Sequence, residues 1–398
     1  MAELAPVAPR ERVVTLDVLR GFALVGVLLA NLYSLYSLRF AHRGGPPTET
    51  IDVIASSFIG VVVHSKAQTL LTFLFGFGFA AQLLRAEARA EPVMGLYVRR
   101  MCTLFGIGWM HVLLLSWVDV TWGYALVGFV LLAFVRVSNR TRIAVAVVCV
   151  IVPSIVYAIP GVRESLHGIL FASPPPAYIQ EYAEAAKSGD RIAIMHAHAM
   201  LALLWTFGGN VLWYLPWLLG RFLFGFVAGS QRWFDRDGAD HLPLFHKLLG
   251  FGALAATPAL VIQALAQAGV LSRQHSVPVQ MVMSVLGEIG LLGQTALYVA
   301  IVVILMQRAR WRRVLELLAP VGRMPLTTYL SQSAICTALF YGWGLDWDTP
   351  PPAATVGLGL AIFAVQIAIA HAWLRVFRFG PAEWLWRRIV YLRPQPMR

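Results

Sequence analysis

The sequence predicts an all-α, polytopic membrane protein: one integral domain over residues 1–398, with about ten transmembrane helices and both termini cytoplasmic. Three observations predict it. Hydrophobic residues make up 58% of the chain and charged residues 13%, proportions foreign to soluble domains. Apolar runs of about 20 residues, the length a bilayer core demands, recur near 13–35, 66–85, 100–118, 119–136, 143–160, 210–230, 248–270, 284–307, 324–344 and 353–376. Of the 32 Lys and Arg residues, 23 fall in segments that alternate to the cytoplasmic side and six in outer segments, while Arg20, Lys66 and Arg221 lie within spans. That bias is the positive-inside signature. The net charge of +12 therefore reports topology and argues against a nucleic-acid partner.

The first span opens with Thr15-Leu16-Asp17-Val18-Leu19-Arg20-Gly21. Its charged residues and the lack of a small-residue cleavage site argue that it is retained rather than removed as a signal. Asp17 and Arg20 stand i and i+3, on one helix face, and can pair there. A charge at mid-membrane costs on the order of 3 kcal/mol, so the pair is expected to face protein. The segment from about Leu38 to Val63 starts with the turn-prone Gly44-Gly45-Pro46-Pro47. Its apolar stretch Ile51 to Val63 is too short to span and reads as an interfacial or re-entrant helix.

Arg100 to Arg136 must supply two spans with almost no loop, which places Asp119 at the hairpin tip. The longest hydrophilic stretch, about Gly161 to His196, is expected outside, with Ser173-Pro174-Pro175-Pro176 breaking any helix there. A short amphipathic helix bearing Tyr178, Glu181, Tyr182, Glu184 and Lys187 follows. Gly76-Phe77-Gly78 and Gly225-Phe226-Val227-Ala228-Gly229 read as helix-packing faces. Cys102, Cys149 and Cys336 all fall within spans, so no disulfide framework is implied, and no metal-ligand spacing occurs.

Ionisable groups inside the membrane are functional candidates by default. They and the polar Asn31 separate by depth. Asp17, Arg20, Arg99, Arg100 and Arg323 lie toward the cytoplasm, and Asn31, His64, Lys66, His111 and Asp119 toward the outer half. A basic inner mouth below a chamber holding His and Asn suits a phosphate-rich donor entering from inside. His111 has the side chain best suited to act as a general base near neutral pH. Eight residues of straight helix span about 12 Å, so a direct bond between His111 and Asp119 requires the helix to end near Trp117 and turn back. Two more polar patches stand near the C-terminus. Gly322 to Gln332 gathers Arg323, Thr327, Thr328, Tyr329 and Gln332, and Gly380 to Arg388 interleaves Glu383 with Trp and Arg. The first also fits polar contact between helices, the second an aromatic belt at the membrane boundary.

Five stretches in series resemble one family. They are the Leu-Asp-x-x-Arg-Gly opening, the Lys66 to Gly76 run ending in Leu-Phe-Gly, and Gly108 through His111 and Asp119 to Tyr124-Ala125-Leu126. Gly-Arg-Met-x-Leu-Thr-x-Tyr at 322–329 and Gly-Pro-x-Glu-Trp-Leu-Trp-Arg at 380–387 complete the set. In order and coverage they look like the bacterial YeiB-like family of inner-membrane proteins, a domain of unknown function. The family pattern has Asn where this chain has Thr328.

That family is grouped with transmembrane acyltransferases, distantly like heparan-alpha-glucosaminide N-acetyltransferase. The resemblance implies transfer from cytoplasmic acyl-CoA, acetyl-CoA first among candidates, to an acceptor hydroxyl or amine at the outer side, without a metal. His111 would be the base, Asn31 the group polarising the thioester, and Asp119 the orienting acid. His42, near the separation at which the acetyltransferase relative carries its His, ranks second as base. Asp17, Arg20, Lys66, Arg99, Arg100, Arg323, Thr327, Tyr329, Gln332 and Glu383 would contact donor or acceptor. The implied partners are membrane lipids and a small-molecule or glycan acceptor, with a homodimer compatible. The alternative is a transporter or lipid-handling protein on the same scaffold, against which stands the absence of internal repeats.

Overall fold

The computed structural model describes residues 12–39, 47–88, 94–159, 176–206, 211–267, 276–392 and 394–398, and no β-strand occurs among them. The chain is a helical bundle of α1 (Val14–Asn31), α2 (Thr50–Phe58), α3 (Lys66–Ala88), α4 (Met94–Leu114), α5 (Thr121–Leu131) and α6 (Asn139–Tyr157). There follow α7 (Pro176–Ser188), α8 (Arg191–Trp205), α9 (Val211–Ser230), α10 (Leu242–Gln267) and α11 (Val277–Met306). The last third holds α12 (Ala309–Leu315), α13 (Ala319–Arg323), α14 (Pro325–Phe340), α15 (Pro352–Val376) and α16 (Pro381–Tyr391).

Six helical stretches among the described residues are long and apolar enough to cross a membrane: 14–36, 50–88, 139–156, 235–265, 277–306 and 352–376. The four other expected spans coincide with α4, α5, α9 and α14, so about ten crossings are not established by length and hydropathy. These four are short, or they carry ionisable groups: Arg99, Arg100 and His111 on α4, Arg221 on α9. Polar side chains packed against protein lower a helix's hydropathy without exposing it to lipid.

The stretch 50–88 is two pieces. A π-helical turn at Ile59–Val63 follows α2, and Ser65 at φ 65° breaks the chain before α3. The short apolar helix expected ahead of span two is therefore distinct from it. Helices α8, α12, α13 and α16 were not expected. The 15 residues of α8, in the segment read as external and just after it, bury Ile194, Ala197, His198, Leu201 and Ala202.

Small residues set the closest approaches. A Cβ on Gly225 would collide with the Phe73 carbonyl, and one on Gly76 with the Phe222 carbonyl, so α3 and α9 cross with backbones in contact. This is the packing face read from those glycines. At the arginine-rich end, Asp237 clasps three segments. It accepts from the Thr15 amide at 3.0 Å and from Arg312 at 2.8 Å, and its own carbonyl accepts from Gln307 at 2.9 Å. The start of α1, which the candidate site depends on, is thereby fixed to the rest of the bundle.

Candidate functional site: a buried hydroxyl–imidazole–carboxylate relay

Helix α4 stops at Leu114, and residues 115–120 turn the chain back so that Asp119 caps α5. Asp119 Oδ1 accepts from the Thr121 amide at 2.7 Å, the Thr121 hydroxyl at 2.5 Å and the Trp122 amide at 3.1 Å. Three donors and a helix N-terminus hold this carboxylate in one orientation. Gly108, one turn before His111, makes room for it. A Cβ there would lie 2.6 Å from the Trp122 amide nitrogen and 3.0 Å from Asp119 Oδ1.

The other oxygen faces the imidazole. His111 Nδ1 lies 3.0 Å from Asp119 Oδ2, a close contact that is not a straight hydrogen bond. The Tyr329 hydroxyl donates to the same oxygen at 3.2 Å, and its ring lies against the imidazole with centroids 4.9 Å apart. On the far side His111 Nε2 is 2.7 Å from Ser333 Oγ, which in turn accepts from the Tyr36 hydroxyl at 2.7 Å. A carboxylate only accepts, so in the neutral ring a proton on Nδ1 would face Asp119 and leave Nε2 to accept from Ser333. Ser333, His111 and Asp119 are 1%, 3% and 4% exposed. The atoms are connected as in the Ser-His-Asp constellation, which is recognised by geometry and role rather than by order in the chain.

At the arginine-rich end, Asp17 bridges Arg12 and Arg20, each at 2.8 Å. The pairing expected of Asp17 and Arg20 is present, with Arg12 added. Arg100 donates to Gln82 at 2.8 Å and stacks on Trp386, and Arg20 and Arg387 both add to the positive potential at it. Arg12 does the same at Arg323 and Arg387. Among the described residues, Arg323 Nε and one terminal nitrogen of Arg387 are buried without an acceptor. Five guanidinium groups thus share one neighbourhood in which Asp17 is already doubly engaged.

Glu383 favours the charge on Arg387, but its carboxylate is committed to capping α14. It accepts from the Leu326 amide at 2.6 Å, the Thr327 amide at 3.1 Å and the Thr327 hydroxyl at 2.5 Å. Burial pushes the Glu383 carboxyl above the usual range, and these donors oppose the shift. The two C-terminal patches are therefore one unit. Gln332 belongs to this framework as well, donating to Gln366 at 3.1 Å and toward the Leu24 carbonyl at 3.4 Å.

The structure brings His111, Asp119 and Tyr329 together, and separately Asp17, Arg20, Arg100 and Arg323. Arg99 stands apart, donating to the Val390 carbonyl at 2.9 Å. Lys66 donates to the Gly60 carbonyl at 3.0 Å and lines a groove of about 230 Å³ with Gln263 and Gln294. Asn31 ends α1, and no hydrogen bond among the described residues joins it to the relay. His42 lies outside the described residues. Sequence reasoning missed Ser333 and Tyr36. The signal for Ser333 was present: it stands four residues after Tyr329, on the same face of α14.

Comparison with known proteins accounts for the whole chain. A family model described as "Protein of unknown function (DUF418)" matches residues 228–393. An uncharacterized protein of Bacillus subtilis, YxaH, is 31% identical across 100% of this chain and 98% of its own length. The chain belongs to the DUF418 family. Within it, the Escherichia coli protein YeiB, also uncharacterized, is 28% identical over 95% of this chain and 96% of its own. A protein of Bacillus acidopullulyticus named for its place beside an amylase gene is 26% identical over 98% and 97%. No solved structure matches.

Proposed function

We propose that this DUF418 protein is an acyltransferase of the bacterial cytoplasmic membrane, moving an acyl group from cytoplasmic acyl-CoA to an acceptor hydroxyl or amine on the outer side. One observation carries the reading: an imidazole held between a fixed carboxylate at 3.0 Å and a hydroxyl at 2.7 Å, buried in the bundle. This arrangement removes a proton from a hydroxyl and stabilises the imidazolium that forms. The guanidinium cluster supports the donor. Arg323 and Arg387 each have a buried nitrogen with no acceptor among the described residues, available to phosphate oxygens, and a divided charge of this sign suits a polyphosphate.

A second reading rests on the closure of the same site. Relay residues no more than 4% exposed, linked by hydroxyls that can donate in either direction, also suit a proton path in a coupled transporter. Coenzyme A separates the two. Detergent-purified protein is expected to gain thermal stability with micromolar coenzyme A and to consume acetyl-CoA, and His111→Gln to keep the first property and lose the second. No stabilisation by any acyl-CoA would remove the acyltransferase reading and leave the transporter.

A further inference from the structure

We infer that Ser333 is the nucleophile, so that the acyl group passes through an ester on this serine rather than directly from thioester to acceptor. The inference rests on the acyltransferase reading and adds to it a covalent intermediate. It comes from what the Ser333 hydroxyl does compared with the other hydroxyls inside helices. A Ser or Thr within a helix ordinarily donates back to the carbonyl four residues earlier. Ser34, Thr72, Ser154, Thr257 and Thr295 do so at 2.7 to 2.9 Å. Ser333 lies 3.4 Å from the Tyr329 carbonyl and 2.7 Å from His111 Nε2. Its back-bond to the helix is long, and the shorter contact is to the base.

Position agrees with chemistry. Ser333 stands eight residues from either end of the stretch Pro325 to Tyr341, about 12 Å of helix on each side. The guanidinium of Arg323 lies beyond one end and the Tyr182–Tyr341 hydroxyl pair, 2.6 Å apart, beyond the other. A donor held by its phosphates among the arginines would extend its thioester toward Ser333, and an acceptor would approach from the opposite end. Both need the packing around this residue to open, since it is 1% exposed.

The steps balance. Ser333 Oγ attacks the thioester carbonyl carbon while its proton moves to His111 Nε2, and Asp119 faces the imidazolium. The tetrahedral adduct collapses with cleavage of the carbon–sulfur bond, and the departing thiolate takes the proton from Nε2. The acceptor O–H or N–H then gives its proton to Nε2 and attacks the ester. The bond from Oγ to the carbonyl carbon breaks, and Ser333 regains its hydrogen. Tyr36, which donates to Oγ at 2.7 Å, is a donor beside the oxyanion formed in both halves.

The test is to incubate the full-length protein in detergent with acetyl-labelled acetyl-CoA and no acceptor, quench in acid, and map the label by peptide mass. One acetyl ester on Ser333 is expected, absent from Ser333→Ala and from His111→Gln. Ser333→Ala is expected to bind coenzyme A as the wild type does and to consume acetyl-CoA about 10³-fold more slowly or worse. Ser333→Cys, nearly equal in volume, guards against misfolding by carrying the label as a hydroxylamine-labile thioester. Label on another residue, turnover by wild type without label on Ser333, or wild-type turnover by Ser333→Ala would each overturn the inference while the acyltransferase reading stands. A wild-type protein that neither binds coenzyme A nor consumes acetyl-CoA would overturn both.

Discussion

Two buried polar clusters in this bundle involve groups of similar cost and are built to opposite ends. In the first, Arg221 of α9 donates to Thr69 at 3.2 Å, to the Trp217 carbonyl at 3.0 Å and to Glu288 of α11 at 2.7 Å. Its guanidinium lies 3.4 Å from the centre of the Trp217 ring, whose Nε1 donates to the other Glu288 oxygen at 3.2 Å. Apart from the Thr69 hydroxyl, every direction is occupied by a partner of fixed sign, and the arginine itself only donates. In the second, the chain Tyr36, Ser333, His111, Asp119 contains two hydroxyls and an imidazole, each able to give or take a proton. Burial of charge alone therefore does not mark a reactive site. The distinguishing property is whether a proton could sit on either side of a contact.

That contrast yields its largest test in a pair of substitutions. His111→Gln is expected to reduce acetyl-CoA consumption by about 10³-fold or more, with a stability loss of only about 1–2 kcal/mol. Asp119 keeps three donors on Oδ1 and the Tyr329 hydroxyl on Oδ2. Arg221→Met is expected to do the reverse, destabilising the fold by about 3–5 kcal/mol because Glu288 is left without its buried partner. The surviving folded protein should still bind coenzyme A. Adding Glu288→Leu to Arg221→Met should recover most of the loss, since a packed apolar pair avoids the desolvation penalty. Denaturation in detergent and the turnover assay read both axes. A stable Arg221→Met protein that has lost turnover would break the comparison.

How these clusters were or were not legible from sequence follows from distance along the chain. Asp17 and Arg20 are three residues apart on one helix, and helical periodicity alone placed them together. The spacing of His111 and Asp119 left a condition, that α4 end and reverse, and the stop at Leu114 meets it. Ser333 lies 222 residues from His111, and Glu288 lies 67 from Arg221. Only packing brings such residues together, and no local pattern reports it. The helix α8 escaped notice because it is too short to span a bilayer and follows a hydrophilic stretch. Glu383 carried a different ambiguity. Its neighbours Trp384, Trp386 and Arg387 read as a boundary belt, and the sequence held no sign that its carboxylate caps a helix at Thr327, 56 residues earlier.

The next effect in size separates glycines by what they face. Gly108→Val would force branches into the α5 cap, where a Cβ alone already lies 2.7 Å from the Thr121 hydroxyl. It is expected to cost about 1–3 kcal/mol and to lower turnover by displacing Asp119 from His111. Gly78→Ala, whose added Cβ meets nothing within 4 Å, is expected to stabilise by as much as about 1 kcal/mol with turnover unchanged. Equal effects would show that the α4–α5 turn does not position the relay.

Glu383→Gln tests the framework beneath the relay. The amide keeps one acceptor oxygen for the Leu326 and Thr327 donors but loses the charge at the α14 N-terminus. A loss of about 0.5–2 kcal/mol is expected, with turnover falling only as far as α14 frays.

Tyr329→Phe is the smallest change and the sharpest about roles. It removes one hydroxyl, which donates to Asp119 at 3.2 Å, and retains the ring packed against His111. Asp119 would then face the relay with His111 as its remaining partner on Oδ2. A loss of about 1–2 kcal/mol in stability is expected, with turnover reduced less than about tenfold, the scale of one hydrogen bond to a positioning carboxylate. Tyr329 would then be a residue that steadies the acid. A fall as deep as that of His111→Gln, with the fold intact, would instead make the phenol a participant in proton transfer, and the order of the relay would have to be redrawn with Tyr329 beside Ser333.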